Sequence, residues 1–264
     1  VTIRSANINV MVAAARKAAR GILRDFGEVE QLQVSRKGTN DFVTAADTRT
    51  EKVLRQELKK ARPDYGFLLE EGGEEVGSNA SNRWIIDPID GTTNFIHGIP
   101  HFAMSIALER EGEIIAGVVY NPITDDVFVA EKGNGAFLND HRLRVSARRK
   151  IEEAVVTTGI PHLGRGDHQQ FLRELSAVMG STAGLRRFGS ASLDLAYVAA
   201  GRCDAYWERG LQPWDIAAGI LLVREAGGYV YEPDGKGLNM MESGNVLATN
   251  AHLLTPMSKL LNGQ

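Results

Sequence analysis

Asp87 and Asp90 stand three residues apart around a Pro88-Ile89 corner, and a turn there aims both carboxylates at one spot. At about 4 Å and an effective dielectric near 20, two such charges repel by about 4 kcal/mol. They must share a proton, stay hydrated or hold a cation. Gly91 permits close approach of the backbone to a ligand, and Thr92-Thr93-Asn94, opening a helical turn, offers N–H groups to an anion. Carboxylates for metal beside amides for phosphate are the layout of metal-dependent phosphoryl transfer. The donors are hard oxygens with no His or Cys cluster beside them, which favours Mg2+ over Zn2+. Taken alone, Asp-Pro and Asp-Gly also suit a plain Asx-turn. A threonine hydroxyl such as that of Thr92, beside a carboxylate, could relay a water proton, and Thr92 also suits a helix cap. Glu70-Glu71 closes an apolar run, Asp215 follows Pro213-Trp214 in a first helical turn, and Ser190 fits a helix N-cap. Glu208 by itself reads as a surface acid.

The segment Asp87-Pro88-Ile89-Asp90-Gly91-Thr92 resembles the signature of the inositol monophosphatase family of Mg2+-dependent, Li+-sensitive phosphatases. Trp214-Asp215-Ile216-Ala217-Ala218-Gly219, continuing to Glu225-Ala226-Gly227-Gly228, is similar to that family's second signature, with Glu70-Glu71 upstream. The resemblance spans roughly residues 13–250 and is nearest to the bacterial extragenic-suppressor type. It implies a cytoplasmic phosphoric monoester hydrolase that releases phosphate from a small monoester, inositol 1-phosphate being the expected substrate. Related enzymes act on fructose 1,6-bisphosphate, nucleotide 3′-phosphates, NADP or histidinol phosphate, and the loop Thr157-Thr158-Gly159-Ile160-Pro161 departs from the animal enzymes. The implied metal ligands are Glu70, Asp87, the Ile89 carbonyl, Asp90 and Asp215, for two to three Mg2+ ions. Family members commonly read Glu-Glu-Ser where Gly72 stands here, which leaves the register between Glu70 and Glu71 open. Glu70, Thr92 and Asp47 are implied to act on the attacking water. Asp90, Gly91, Thr92, Gly189, Ser190, Ala191, Glu208 and Asp215 are implied to contact substrate. The resemblance also implies a homodimer and admits a second role in transcription antitermination on RNA polymerase.

The elements that must position these residues follow from periodicity. Ile8, Met11, Ala15, Ala18, Ile22 and Phe26 form one stripe of a helix of about five turns. Arg36 to Asp41 reads as a polar loop. A second helix follows, with Val53, Leu54, Leu58 and Ala61 inward and Glu51 paired to Arg55, and stops before Pro63. Phe67–Leu69 is a strand delivering Glu70, Glu74 to Asn82 a surface loop, and Trp84–Ile86 a buried strand that stops at Pro88. Phe102, Met104, Ile106 and Leu108 then alternate with Ala103, Ser105 and Ala107, and hairpin-length connections join further strands at Ile114–Tyr120 and Val127–Ala130. After Lys150, strands at 154–157, 185–188, 203–207 and 229–231 interleave with helices at 171–179, 191–200 and 214–225. The expectation is one α+β domain over 1–264, with a mostly antiparallel first sheet and a helix-interleaved second one. Its sub-domains of about 1–148 and 149–264 divide near Ser146–Ile151. The resemblance implies the layered α-β-α-β-α sandwich of the sugar-phosphatase superfamily, which periodicity alone does not select.

Composition narrows the alternatives. With 264 residues and 43% hydrophobic content the chain can bury one sizeable core, and a net charge of -3 gives no global pull toward nucleic acid or anionic lipid. Cys203 is the one cysteine, so no intrachain disulfide forms and a reducing cytosol fits. No apolar run approaches the roughly 18 residues of a membrane span. Val10–Leu23 is apolar and basic but is interrupted by Arg16, Lys17 and Arg20, so an amphipathic helix is expected there rather than a transit peptide. Pro100 prevents His97 and His101 from forming a helical metal pair, and Gly133-Asn134-Gly135 lacks the remainder of a dinucleotide fingerprint. Without a Walker motif or a Gly-x-Ser-x-Gly elbow, kinase and serine-hydrolase readings fail. The basic clusters Arg142 to Lys150 and Arg186-Arg187 read as solvated faces.

Overall fold

The structure, a computed structural model, describes residues 5–29, 34–37, 41–162, 164, 166–235, 237 and 239–263. The chain begins with α1 (Ala6–Gly27), capped where the Ser5 hydroxyl accepts the Ile8 amide at 3.2 Å. The short strands β1 (Val34–Lys37) and β2 (Asp41–Thr44) pair antiparallel, so the ends of the expected Arg36–Asp41 loop are strand; residues 38–40 lie outside the described residues. Then come α2 (Ala45–Ala61), β3 (Tyr65–Leu69), β4 (Gly73–Glu75), β5 (Asn79–Asp90) and the single turn α3 (Thr92–Ile96). The meander continues with β6 (Ala103–Arg110), β7 (Glu113–Asn121), β8 (Asp126–Glu131), β9 (Gly135–Leu138) and β10 (His141–Arg142). The second half runs β11 (Val155–Thr158), α4 (His168–Met179), β12 (Gly184–Arg186), α5 (Ala191–Ala199), β13 (Ala205–Glu208) and α6 (Pro213–Glu225). It finishes with β14 (Tyr229–Tyr231), α7 (Met240–Ser243), β15 (Val246–Thr249) and α8 (Leu254–Leu261).

Eight strands form one sheet in the order β10-β9-β8-β7-β6-β5-β3-β4, antiparallel except for the β3–β5 pair. Five form the other, β12-β11-β13-β15-β14, with β11 parallel to both neighbours. The alternation read along β6 sorts residues between two cores. Phe102, Met104, Ile106 and Leu108 join α1 and α2 on the outer face of the large sheet. Ala103 and Ala107 pack toward α5 and α6, and Ser105 Oγ donates to the Trp214 carbonyl at 3.0 Å. Small residues there let the helices sit close: a Cβ at Gly117 would lie 3.0 Å from Cα of Ala218. On the far side, Phe171, Val178, Met257 and Leu261 of α4 and α8 cover Val156, Ala205, Trp207 and Leu247 of the five-stranded sheet. The layers are therefore helices, sheet, helices, sheet, helices, the implied α-β-α-β-α sandwich.

Three local readings change. Glu51, expected to pair with Arg55, is buried and accepts the Glu71 amide at 2.8 Å, while the Arg55 guanidinium bonds to Glu75 at 2.7 and 2.8 Å. Glu74 to Asn82 is not all loop, since β4 and the start of β5 lie in it. β5 also does not stop at Pro88 but runs on through a bulge to Asp90. Strands β9, β10 and β15 and helices α7 and α8 carry no expectation from periodicity, being short or weakly patterned.

Candidate metal centre

The bulge explains how two aspartates three apart serve one place. Residues an odd number apart on a regular strand point to opposite faces. Here Asp87 lies opposite Ser105 and Asp90 opposite Ala103, so three steps on β5 match two on β6. The extra residue at Pro88-Ile89 turns both carboxylates to the same side. Proline is tolerated because a bulge asks for no ladder N–H at that point. Both side chains are buried. On the parallel neighbour, Leu69 pairs with Ile86, and the Glu70 amide donates to the Ile86 carbonyl at 3.2 Å, which sets Glu70 in hydrogen-bonding contact with Asp87. Of the two neighbouring glutamates, the charge of Glu70 acts on Asp87 and Asp215, while that of Glu71 acts on Asp47. From the second half of the chain, α6 brings Asp215 at its third position, held by the Gln212 amide at 2.8 Å. Asp87, Asp90 and Asp215 each offer a carboxylate oxygen within 4.8 Å of the others.

Electrostatics make this group costly without a counter-charge. Burial, followed by the charges of Glu70, Asp90 and Asp215, pushes the Asp87 carboxyl well above the usual range. Burial and then Asp90 do the same to Asp215. Asp90 is also raised by burial, opposed by hydrogen bonds from Ser192, Ser190 and the Ala191 amide. Crowded carboxylates of this kind are what hard divalent cations stabilise, and an all-oxygen donor set suits Mg2+. The residues present therefore fit the implied ions: Asp87, Asp90, Asp215, Glu70 and the Ile89 carbonyl would hold them.

The sequence offered Thr92 and Ser190 as helix caps, and the structure gives both hydroxyls other partners. Thr92 Oγ1 lies 2.9 Å from the Ile89 carbonyl and 3.2 Å from Asp47 Oδ1. It does not cap α3, whose N-cap is Gly91. Asp47 closes a capping box with Thr44, so its Oδ2 is occupied and its Oδ1 is the oxygen turned to Thr92. Burial raises the Asp47 carboxyl to about 6. Gly91 adopts φ of 100°, and a Cβ there would meet the Gly189 and His101 carbonyls at 3.1 and 3.2 Å. Ser190 occupies the N-cap position of α5, but its hydroxyl donates to Asp90 Oδ2 at 2.7 Å instead of capping its own helix. The first amides of α5 bond to the same carboxylate, Ala191 at 3.3 Å and Ser192 at 2.7 Å. Asp90 thus caps α5 from another layer of the fold. Glu208 ends β13 with its carboxylate against Gly159, accepts the Tyr206 hydroxyl at 2.7 Å, and is raised to about 7, chiefly by burial.

Sequence reasoning missed three residues, Ser192, Asp194 and Tyr206, and the side-chain role of a fourth, Asn94. Ser192 adds a hydroxyl to Asp90 Oδ2 at 2.5 Å; helical continuation one step beyond Ala191 would have found it. Asp194, buried and hydrogen-bonded by Thr157, lies behind Glu208 and is strongly raised, burial being the main cause. Tyr206 sits two residues before Glu208 on one strand face, a period-two signal. Asn94 Nδ2 donates to the carbonyls of His101 and Phe188 at 2.7 and 2.8 Å, tying α3 to the loop before α5, and local pattern gives no sign of that.

A sandwich of this layering gathers its acids where both halves of the chain meet the large sheet, the donor set of a metal-dependent phosphoryl-transfer site. Comparison with known proteins agrees. A model described as the Inositol monophosphatase family matches residues 4–261. A protein named Inositol-1-monophosphatase from Rhizobium meliloti is 57% identical over 258 residues, covering 98% of this chain and 97% of that one. Nus factor SuhB of Escherichia coli is 43% identical over 250 residues, 95% of this chain and 93% of its own. The crystal structure of extragenic suppressor protein suhB from Bartonella henselae superposes with a TM-score of 0.95 at 56% identity, covering 97% of this chain and 98% of that one. The chain belongs to the inositol monophosphatase family.

Proposed function

We propose that the protein hydrolyses inositol 1-phosphate to inositol and phosphate with the help of Mg2+. The observation that carries this is the meeting of Asp87, Asp90 and Asp215 within 4.8 Å, with Glu70 in contact. The 57% identity to the Rhizobium meliloti enzyme supports inositol over other alcohols. Bound Mg2+, as two or three ions, supplies Lewis-acid activation of water and neutralises charge on phosphate and the departing alkoxide. The chain's own residues do the rest. Thr92 takes a proton from the attacking water and passes one to Asp47 Oδ1, 3.2 Å away. Glu70 orients that water. Amides following Asp90, freed by the positive φ at Gly91, bind phosphate oxygens. Glu208, held by Tyr206, accepts a hydroxyl of the alcohol, and Gly189, Ser190 and Ala191 wall the same side. Phosphate release from inositol 1-phosphate, compared with fructose 1,6-bisphosphate, a nucleotide 3′-phosphate, NADP and histidinol phosphate, with and without Mg2+, tests the reading. No Mg2+-dependent turnover of any of them would end it, and a different preferred ester would replace the substrate. Li+ inhibition belongs to the same assay.

A homodimeric, cytoplasmic protein is part of this reading. Among the described residues no helix is long and apolar enough to cross a membrane. The 43% identity to a protein named Nus factor SuhB favours a second role, association with RNA polymerase in antitermination. Polymerase binding that survives loss of catalysis in Asp215→Asn would separate the two roles.

A further inference from the structure

Each carboxylate of the trio already has one oxygen committed to hydrogen bonds. Asp87 Oδ1 accepts the Ile89 amide at 2.9 Å and Asp215 Oδ2 the Gln212 amide at 2.8 Å. Asp90 Oδ2 is the most heavily engaged, with Ser190 Oγ at 2.7 Å, the Ser192 amide at 2.7 Å and Ser192 Oγ at 2.5 Å. A carboxylate oxygen has about two lone-pair directions, so Oδ2 is full, while Oδ1 meets only the Ala191 amide at 3.3 Å. Ser192 is 0% exposed, so no solvent competes for its hydroxyl. Asp87 Oδ1 and Asp215 Oδ2 are held by backbone amides, whereas the partners of Asp90 Oδ2 include two side-chain hydroxyls, which are free to differ in sequence.

We propose that Ser192, together with Ser190, restricts Asp90 to one ligating oxygen and thereby biases the centre toward Mg2+ over Ca2+. The proposal rests on the metal reading given above. Mg2+ takes a near-octahedral set of single oxygens at about 2.0–2.1 Å, whereas Ca2+ takes six to eight and gains from carboxylates that chelate through both oxygens. With Oδ2 clamped, Asp90 can serve the smaller ion without loss, but it can chelate the larger one only by giving up buried hydrogen bonds. Ser192 is in this sense a positioning residue that selects the ion.

The experiment is calorimetric titration of the metal-free protein with MgCl2 and, separately, CaCl2, for wild type, Ser192→Ala and Ser190→Ala/Ser192→Ala. The unfolding temperature of each metal-free protein is recorded alongside. The expected result is that the ratio of the Ca2+ to the Mg2+ dissociation constant falls about threefold in the single variant and about tenfold in the double one, through tighter Ca2+ binding. A ratio unchanged in both overturns the proposal while leaving the metal site standing. If the double variant unfolds, Ser192→Ala decides alone, and an unchanged ratio in it is overturning. Wild-type protein that binds neither ion overturns the metal reading itself, and this inference with it.

Discussion

Replacing Asp90 by asparagine would put one carbonyl and one NH2 group where four donors now converge on two carboxylate oxygens. At least one donor would then face another donor inside the protein. The expected outcome is a double loss: turnover down at least about a hundredfold, and stability down by about 1–3 kcal/mol, read by phosphate release and urea unfolding. Asp215→Asn should behave differently. Its single clamp, the Gln212 amide at 2.8 Å, can be kept by the asparagine carbonyl. A comparable loss of turnover is expected with an unfolding midpoint close to wild type. For the Thr92–Asp47 relay the sign is set by Asp47, which must be ionised to accept a proton. With its carboxyl raised to about 6, activity should fall as pH drops through that region. A pH profile of kcat at saturating Mg2+ that stays flat to well below 6 would remove Asp47 from the relay.

At the scale of elements, the end of β11 and the end of β13 share a space that only glycine leaves open. A Cβ on Gly159 would lie 2.0 Å from the Glu208 carboxylate, so Gly159→Ala must push Glu208 off its place. KM for inositol 1-phosphate should rise by about tenfold or more, with the Mg2+ constant unchanged, since the nearest atoms to that Cβ all belong to Glu208 and none to a proposed metal ligand. Equal shifts in both would argue against a separate alcohol subsite. The pairing of these strand ends shows where sequence reasoning succeeds and where it stops. Regular alternation along β6 told which side chains face the helices, because a period of two is imposed by the pleat. The aspartates of the corner and Asp215 were legible as types and spacing. The bulge was not, because Pro88 reads as a strand stop unless the partner strand is known. Nor was the capping of α5 by Asp90, a contact across 100 residues or more that leaves no local mark. Strand β15 was overlooked for a similar reason: four residues carry too little periodicity, and its place between β13 and β14 is decided by the sheet.

For the whole molecule the dominant feature is an excess of buried acid at one junction. Asp47 rises from an ordinary 3.8 to about 6 and Glu208 from 4.5 to about 7, and Asp87, Asp90 and Asp215 move the same way. Groups whose folded pKa is raised contribute stability that is complete below the unfolded pKa near 4 and is lost as pH climbs through the folded value. Metal-free protein should therefore lose stability as pH rises from about 4 to about 8, with Asp47 alone costing about 3 kcal/mol, nearly all of it by about pH 8. Added Mg2+ should restore it, more at pH 8 than at pH 5, as measured by urea midpoints across that range. A metal-free protein that grows more stable on going to pH 8 would contradict the burial of these acids. The clamp of Asp90 on α5 also has a consequence for synthesis. Because the clustered aspartates come from positions as far apart as 87 and 215, a nascent chain still short of α6 on the ribosome holds only two of the three. The acidic cluster is thus completed late, only once α6 of the second half has docked.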